Sequence, residues 1–316
     1  HELPRLILQA RELNKLRGTF LQGLLKHNCN GRIHAHINQI RSDSGGAVSG
    51  RFSYNHPNLQ QIPSRGQFAQ EIRKLFIPEV GEYWLKADYS QQEPRLLTHW
   101  ACLVGQLGAK EVKEAYQKSD LDFHQQTADM AGVERRLAKT IGLGVMYGMG
   151  YNKMARELDI DPQDAKKMLA DFRERVPFMQ GMLEAVMNRA NSKGIIRTLL
   201  GRKCRFDLWE PMSWGVHKAL PHNQAKVEYG DAIKRAGTYK ALNRLIQGSA
   251  ADQTKKAMVD VYEQLGVTPL IQVHDELDCS VKGEKEAKEI QRVMETCVEL
   301  EVPSKADIDL GESWGG

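Results

Sequence analysis

The segment Leu85-Lys86-Ala87-Asp88-Tyr89-Ser90-Gln91-Gln92-Glu93-Pro94-Arg95 decides how the chain is read, because an apolar strand runs into a carboxylate and then into a helix start. Tyr83, Trp84, Leu85 and Ala87 have strand character. Pro94 suits the first turn of a following helix, where its missing N–H costs nothing. Asp88 therefore ends a buried strand and points into a cleft. Taken alone, an aspartate there is more often a cap or an ion-pair partner than a functional group. A function requires a second carboxylate.

The 316 residues are enough for a large core and suggest two domains. Hydrophobic residues make up 41% and charged residues 27%, a globular composition with no uninterrupted apolar run long enough to cross a bilayer. A net charge of +4 permits a polyanionic partner without demanding one. The five cysteines, Cys29, Cys102, Cys204, Cys279 and Cys297, are scattered and never in C-x-x-C spacing. That argues against a zinc cluster or a disulfide framework and for a reducing compartment. His1 opens the chain without methionine, basic segment or cleavage pattern, so a fragment or processed product is expected.

Leu3 to Leu25 repeats apolar residues with a helical period among Arg5, Arg11, Lys15 and Arg17, which reads as an amphipathic packing helix with a solvated basic face. Gly31 to Ile37 alternates like one strand. His34 and His36 would share a face of it, but no third ligand is evident, so a metal site there is not expected. The polar segments around Arg51 and around Asn58 and Gln60 carry groups suited to hydrogen-bonded recognition, although such composition also makes ordinary surface turns. Helices are expected over 93–103 and around 124–130.

A second distinctive stretch is Arg135 to Gly148. Arg135, Lys139, Leu143 and Tyr147 stand at successive i+4 positions, so a helix would align two cations, an apolar side chain and an aromatic ring. This stripe could bind phosphates at one end and a base at the other; the plainer reading is a solvated cationic turn grading into a core face. Gly142 and Gly144 each cost about 1 kcal/mol against alanine in a helix, which points to a bend or a close approach. Further helices are expected over 161–173, 178–191 and 284–300, with a hairpin over 194–206. A long helix over 236–265 projects Asn243 and Gln247 from one face. Leu270 to Val281 reads as two short strands joined at His274-Asp275-Glu276, and it supplies the second carboxylate, though acidic pairs are common in turns.

Together these segments resemble the polymerase domain of family A DNA polymerases, from about Leu3 to Trp314. The resemblance rests on three ordered motifs: Asp88-Tyr89-Ser90-Gln91-x-Glu93-x-Arg95, Arg135-x-x-x-Lys139-x-x-x-x-Gly144-x-x-Tyr147-Gly148 and Val273-His274-Asp275-Glu276. Gly50-Arg51, Pro57-Asn58-Leu59-Gln60 and Gln247-Gly248-x-Ala250-Ala251-Asp252 accompany them. The short interval from His124 to Arg135 resembles the phage branch. The resemblance implies an α+β right-hand fold: a thumb remnant over 1–27, an antiparallel-sheet palm over 28–100 and 237–316, and mostly helical fingers over 101–236.

It also implies template-directed DNA synthesis by two-metal phosphoryl transfer onto a primer 3′-hydroxyl. Asp88 and Asp275 would hold two magnesium ions, for which manganese could substitute, with help from the Tyr89 main-chain carbonyl; Glu276 would support them. Gln91, Glu93, His124, Arg135, Lys139, Leu143 and Tyr147 would bind the nucleotide, Glu93 as the gate that excludes a 2′-hydroxyl. Arg51, Asn58, Gln60, Asn243, Gln247 and His274 would contact primer and template at minor-groove acceptors, which barely differ among base pairs. The expected partners are primer-template DNA and dNTPs, with no membrane, in the cytoplasm of a bacterium or phage-infected host, an organelle being the other setting.

The chain departs from the family pattern at Leu143, which replaces an aromatic residue, at Gln92 and Pro94, which replace apolar ones, and at Tyr239, where bacterial relatives have arginine. Most of a thumb is expected to be missing, so processivity should be poor unless further residues or a processivity or replisome partner supply it. No proofreading exonuclease is expected in this chain. A single-subunit RNA polymerase is the alternative enzyme, disfavoured by the bulky Glu93. A DNA-binding remnant without catalysis is disfavoured by the intact aspartates and cations, and a metal-dependent nuclease has no need of the Arg135 to Tyr147 stripe.

Overall fold

The computed structural model describes residues 2–42, 45–66, 68–118, 121–213 and 215–316. The elements that position chemistry are, in chain order, α1 (Glu2–Lys15), β1 (Tyr83–Tyr89), α2 (Gln92–Leu103), α3 (Phe123–Ala131), α4 (Arg135–Met146), α5 (Ala241–Leu265), β2 (Ile271–Val273), β3 (Glu276–Val281), α6 (Glu284–Thr296) and β4 (Ala306–Gly311). The chain forms two compact units. One comprises His1–Ser90, Thr254–Cys297 and Lys305–Gly316, the other Gln91–Gln253 and Val298–Ser304.

The first unit is built on an antiparallel sheet of order β2-β3-β1-β4. Strand alternation sends Leu85, Ala87, Tyr89, Leu277, Cys279, Val281 and Ala306 to one face, where they pack on Ala257 and Val261 of α5 and Ala287, Ile290, Val293 and Met294 of α6. Each large aliphatic side chain so buried contributes about 1.5–3 kcal/mol. A one-residue slip would turn all of them to the other side, so this core fixes the register. The opposite face carries Trp84, Lys86 and Asp88 of β1 beside Ser280, Asp278 and Glu276 of β3 and Gly311, Asp309 and Asp307 of β4. A smaller apolar cluster forms around Trp84, with Trp314, Phe76, Tyr54, Leu59 and Ile271. Trp84 and Trp314 stack at 6.1 Å between centroids, and the Arg73 guanidinium lies 4.1 Å over the Trp314 ring.

Two local expectations change. The helix over Leu3–Leu25 is interrupted: α1 gives way to a π-helical turn, Leu16–Gln22, before a last α-turn. The wider turn rotates the apolar stripe out of phase. Phe20 and Leu24 are buried while no residue of α1 is, so α1 is not a packing helix within the described residues. Gly31 to Ile37 is not one strand either. Arg32–Ile33 pairs with Asn28–Cys29 and His36–Asn38 pairs with Ser53–Asn55, so His34 and His36 do not share a strand.

The second unit is helical around Leu96, Leu97, Phe123, Ile141, Val145, Phe172, Phe178 and Met182. Pro177 is the first residue of the helix Pro177–Lys193, which directly follows Pro162–Arg175. Of the two α4 glycines, Gly144 is the one closely approached: a Cβ there would meet Met149 Cε and lie 3.3 Å from Met149 Cβ. At Gly142 the nearest atom would be Met179 Cε at 3.7 Å, an ordinary contact. Gln92, whose place in the motif had no reading in sequence, is buried and donates from Nε2 to the Ala250 carbonyl (3.3 Å) and Gln253 Oε1 (3.2 Å). It ties the start of α2 to α5. Pro94 is buried in the first turn of α2.

Candidate active site

The carboxylates of the first unit follow from strand register. Asp88 pairs directly with Glu276 on one side and Asp307 on the other, so three acidic side chains share one row on one face. Asp275 joins them from the two-residue hairpin His274-Asp275 between paired Val273 and Glu276. His274 takes a left-handed conformation, φ 58°, which is uncommon for a histidine and usual for a tight hairpin. The tip is clamped: Tyr89 N donates to the Asp275 carbonyl (3.3 Å), and Gln272 Nε2 donates to the His274 carbonyl (2.6 Å). The Tyr89 ring is buried and its hydroxyl donates to the Met294 carbonyl (2.6 Å), so at this end of β1 Tyr89 meets the carboxylates through its main chain.

This arrangement stores repulsion. Asp88 keeps an exposed edge, yet the protein packed around its carboxyl and the nearby charges of Asp275, Glu276 and Asp307 raise its pKa to about 7. A divalent cation would relieve that repulsion, and hard carboxylate oxygens are the donors magnesium takes. Among the described residues no three or more His, Cys, Asp or Glu side chains are grouped to hold an ion by themselves. Aspartates that leave the rest of a shell to water and phosphate oxygens suit magnesium and not zinc.

Glu276, although in the row, is also held from the side: its Oε1 accepts from Trp314 Nε1 at 3.2 Å. Two residues on, Asp278 is fully buried, with Oδ1 accepting from Trp84 Nε1 at 2.8 Å. Burial and the neighbouring Glu276 push its carboxyl well above the usual range.

The second unit holds the expected nucleotide-binding residues. Arg135 is the first residue of α4 and, like Lys139, is exposed; Leu143 is half-buried, and exposed Tyr147 is the residue that caps the helix C-terminus, so the stripe runs along α4 and ends at its cap. Arg135 Nε donates to Asp122 Oδ2 at 2.7 Å. His124, in the first turn of α3, has its pKa lowered by burial and then by Lys139, so it is neutral at neutral pH; among the described residues its Nδ1 is buried without a hydrogen-bond partner. The Tyr147 hydroxyl donates to Glu93 Oε2 at 2.9 Å, joining the end of the stripe to the residue expected to act as a gate. Gln91, in a left-handed conformation (φ 52°), has both ends of its amide occupied: Nε2 donates to the Leu121 carbonyl (2.8 Å) and Oε1 accepts from Phe123 N (2.9 Å).

The expected DNA-contact residues fall into two sets. In the first unit, Asn58 Oδ1 accepts from Gln60 N (3.1 Å), and Gln60 Nε2 donates to the Gln272 carbonyl (3.3 Å), which fastens that loop to β2 beside His274. Arg51 is half-buried in the same unit. Asn243 and Gln247 lie one turn apart on α5 in the second unit, both half-buried.

Sequence reasoning missed two acidic residues. Asp307 belongs to the row with Asp88, and the strict alternation Ala306-Asp307-Ile308-Asp309-Leu310 was a strand signal that could have found it. Asp122, two residues before His124, is an Asp at a helix N-cap, a pattern also visible in sequence.

An antiparallel sheet with a row of carboxylates beside a hairpin-borne aspartate is suited to metal-assisted phosphoryl transfer. The chain belongs to DNA polymerase family A, whose family model matches residues 1–316. It is 39% identical to a DNA-directed DNA polymerase of Pseudomonas phage M6, over 100% of this chain and 52% of that protein. It is 34% identical to the thermostable DNA polymerase I of Thermus filiformis, over 99% of this chain and 36% of that protein. Among solved structures, it resembles the polymerase domain of Pol1 from M. smegmatis in complex with DNA primer-template and dNTP, with a TM-score of 0.79 and 30% identity, over 98% of this chain and 52% of that one. The chain thus spans about half the length of the phage relative and about a third of the bacterial one.

Proposed function

We propose that this chain carries out template-directed DNA synthesis, joining a dNTP to a primer 3′-hydroxyl with release of pyrophosphate. The observation that carries the reading is the register that sets Asp88 between Glu276 and Asp307 and clamps Asp275 at the end of the same strand. So much negative charge at one strand end, with Lys305 Nζ 3.9 Å from Asp307 Oδ1, favours a site that holds a cation. Asp88 and Asp275, with the Tyr89 main-chain carbonyl, would hold two magnesium ions, which when bound lower the pKa of the primer hydroxyl and neutralise the triphosphate. Asp88 must ionise to act as a ligand, and Glu276, held by Trp314, supports the row.

Arg135 and Lys139 grip the triphosphate, with neutral His124 donating a hydrogen bond rather than adding charge. Leu143 offers the nucleotide an apolar surface, and Gln91 supports the same pocket through the 121–123 segment it holds. Tyr147 would lie near the templating position and the new base pair. Its hydrogen bond keeps Glu93 in the place a 2′-hydroxyl would need, and this favours deoxynucleotides over the ribonucleotides of a single-subunit RNA polymerase. Arg51, Asn58, Gln60, Asn243, Gln247 and His274 touch primer and template without reading sequence.

In this reading residues 1–27 are the thumb remnant, 28–100 and 237–316 the palm and 101–236 the fingers, and a processivity or replisome partner assists. The Pol1 domain from M. smegmatis in complex with primer-template and dNTP supports the choice of substrates. The higher identity to a phage enzyme supports a phage-type setting in bacterial cytoplasm. Among the described residues no helix is long and apolar enough to cross a membrane. Primer extension with dNTPs and magnesium tests the proposal: extension by the chain supports it, and no extension despite primer-template binding overturns it.

A further inference from the structure

One carboxylate in the helical unit does two jobs. Asp122 Oδ1 caps α3, accepting from His124 N (3.0 Å) and Gln125 N (3.1 Å), while Oδ2 accepts from Arg135 Nε (2.7 Å). The main chain on either side of it is held by Gln91, which bonds Leu121 O and Phe123 N. Asp122 is therefore fixed by helix cap and amide clamp before it meets the arginine. Burial pushes its carboxyl up, but Arg135 and the N–H groups of Gln125 and His124 outweigh burial and leave it below the usual range, so it is charged at working pH.

The geometry of the contact separates two roles. Among the described residues Asp122 takes Arg135 through Nε, which leaves the fork of Nη1 and Nη2 for a phosphate. A carboxylate competing for the fork would act as a latch; one on Nε sets the direction of the guanidinium and freezes its long side chain in advance. An ion pair this exposed adds little to stability, about 0–1 kcal/mol, so holding the fold is a poor account of it. We propose that Asp122 is a positioning residue that orients Arg135 toward the nucleotide triphosphate. The proposal rests on Arg135 gripping the triphosphate.

Single-nucleotide incorporation on a primer-template, measured for D122N, R135A and the double variant, tests it. Asparagine keeps an acceptor for the helix cap and loses the charge. D122N is expected to raise KM for dNTP about tenfold, with kcat and primer-template affinity within about twofold of the parent. In the R135A background D122N should change KM no further, because its effect passes through the arginine. Should asparagine disturb the fold, as judged by Tm, D122S keeps a capping oxygen and gives the same readout. If R135A itself leaves KM unchanged, the role given to Arg135 fails and the proposal falls with it. If R135A raises KM but D122N does not, or if the two effects simply add, Arg135 stands and the positioning role of Asp122 is overturned. A lowered KM in D122N would show competition for the arginine and would also overturn it.

Discussion

Replacing Asp88 by asparagine should stabilise the metal-free protein while abolishing its chemistry. Packing around the carboxyl, together with Asp275, Glu276 and Asp307, raises its pKa from 3.8 to about 7. Over that interval the native state holds its proton more tightly than the unfolded chain does, so Asp88 destabilises the fold progressively as pH rises. Below pH 4 it is protonated in both states and costs nothing; above pH 7 the cost is complete. At 1.36 kcal/mol per pKa unit the unscreened figure is about 4 kcal/mol. The carboxyl keeps an exposed edge, and solvent screening reduces this to about 1–2 kcal/mol. For a chain of this size that is a Tm difference of a few degrees. Thermal unfolding of the parent and D88N in chelator, from pH 4 to pH 8, should show D88N gaining from near zero at pH 4 to its full advantage near pH 8. Added magnesium at pH 8 should raise Tm of the parent and not of D88N. A Tm difference independent of pH, or a less stable D88N at pH 8, would refute the electrostatic account of the row.

Removing the Glu93 side chain with E93A should admit ribonucleotides more readily, read as a fall of about tenfold or more in the dNTP to rNTP preference; an unchanged preference refutes the gate formed with Tyr147. G142A should gain up to about 1 kcal/mol of helix propensity at ordinary contact distances, and G144A should gain less because its methyl group must displace the Met149 side chain, both read by Tm. Binding to primer-template should weaken steeply between 50 and 200 mM salt, with a slope of about −0.9 per phosphate neutralised and alike for unrelated sequences. A flat response would contradict backbone contacts by the basic residues.

The strand into Asp88, the helix from Arg135 and the hairpin at Asp275 were legible because each depends on local signals: apolar alternation, i+4 spacing, turn residues. The place of Asp307 beside Asp88 was not, since it is set by the register of two strands far apart in the chain, and register is settled by the core on the other face. Gln92 was opaque for the same reason: its partners Ala250 and Gln253 lie on α5. Asp122 had a readable cap pattern, but its ion pair with Arg135 depends on how α3 meets α4. The phase change after α1 was hidden because a π-turn leaves no period of its own in a sequence otherwise regular as a helix.

The central claim is that Asp88 and Asp275 together support nucleotide addition. Primer extension with dNTPs and magnesium should proceed with the parent chain. It should fall about 10³-fold or more, roughly 4 kcal/mol in barrier, in both D88A and D275A, with primer-template binding retained. Extension by either variant at the parental rate would contradict the account.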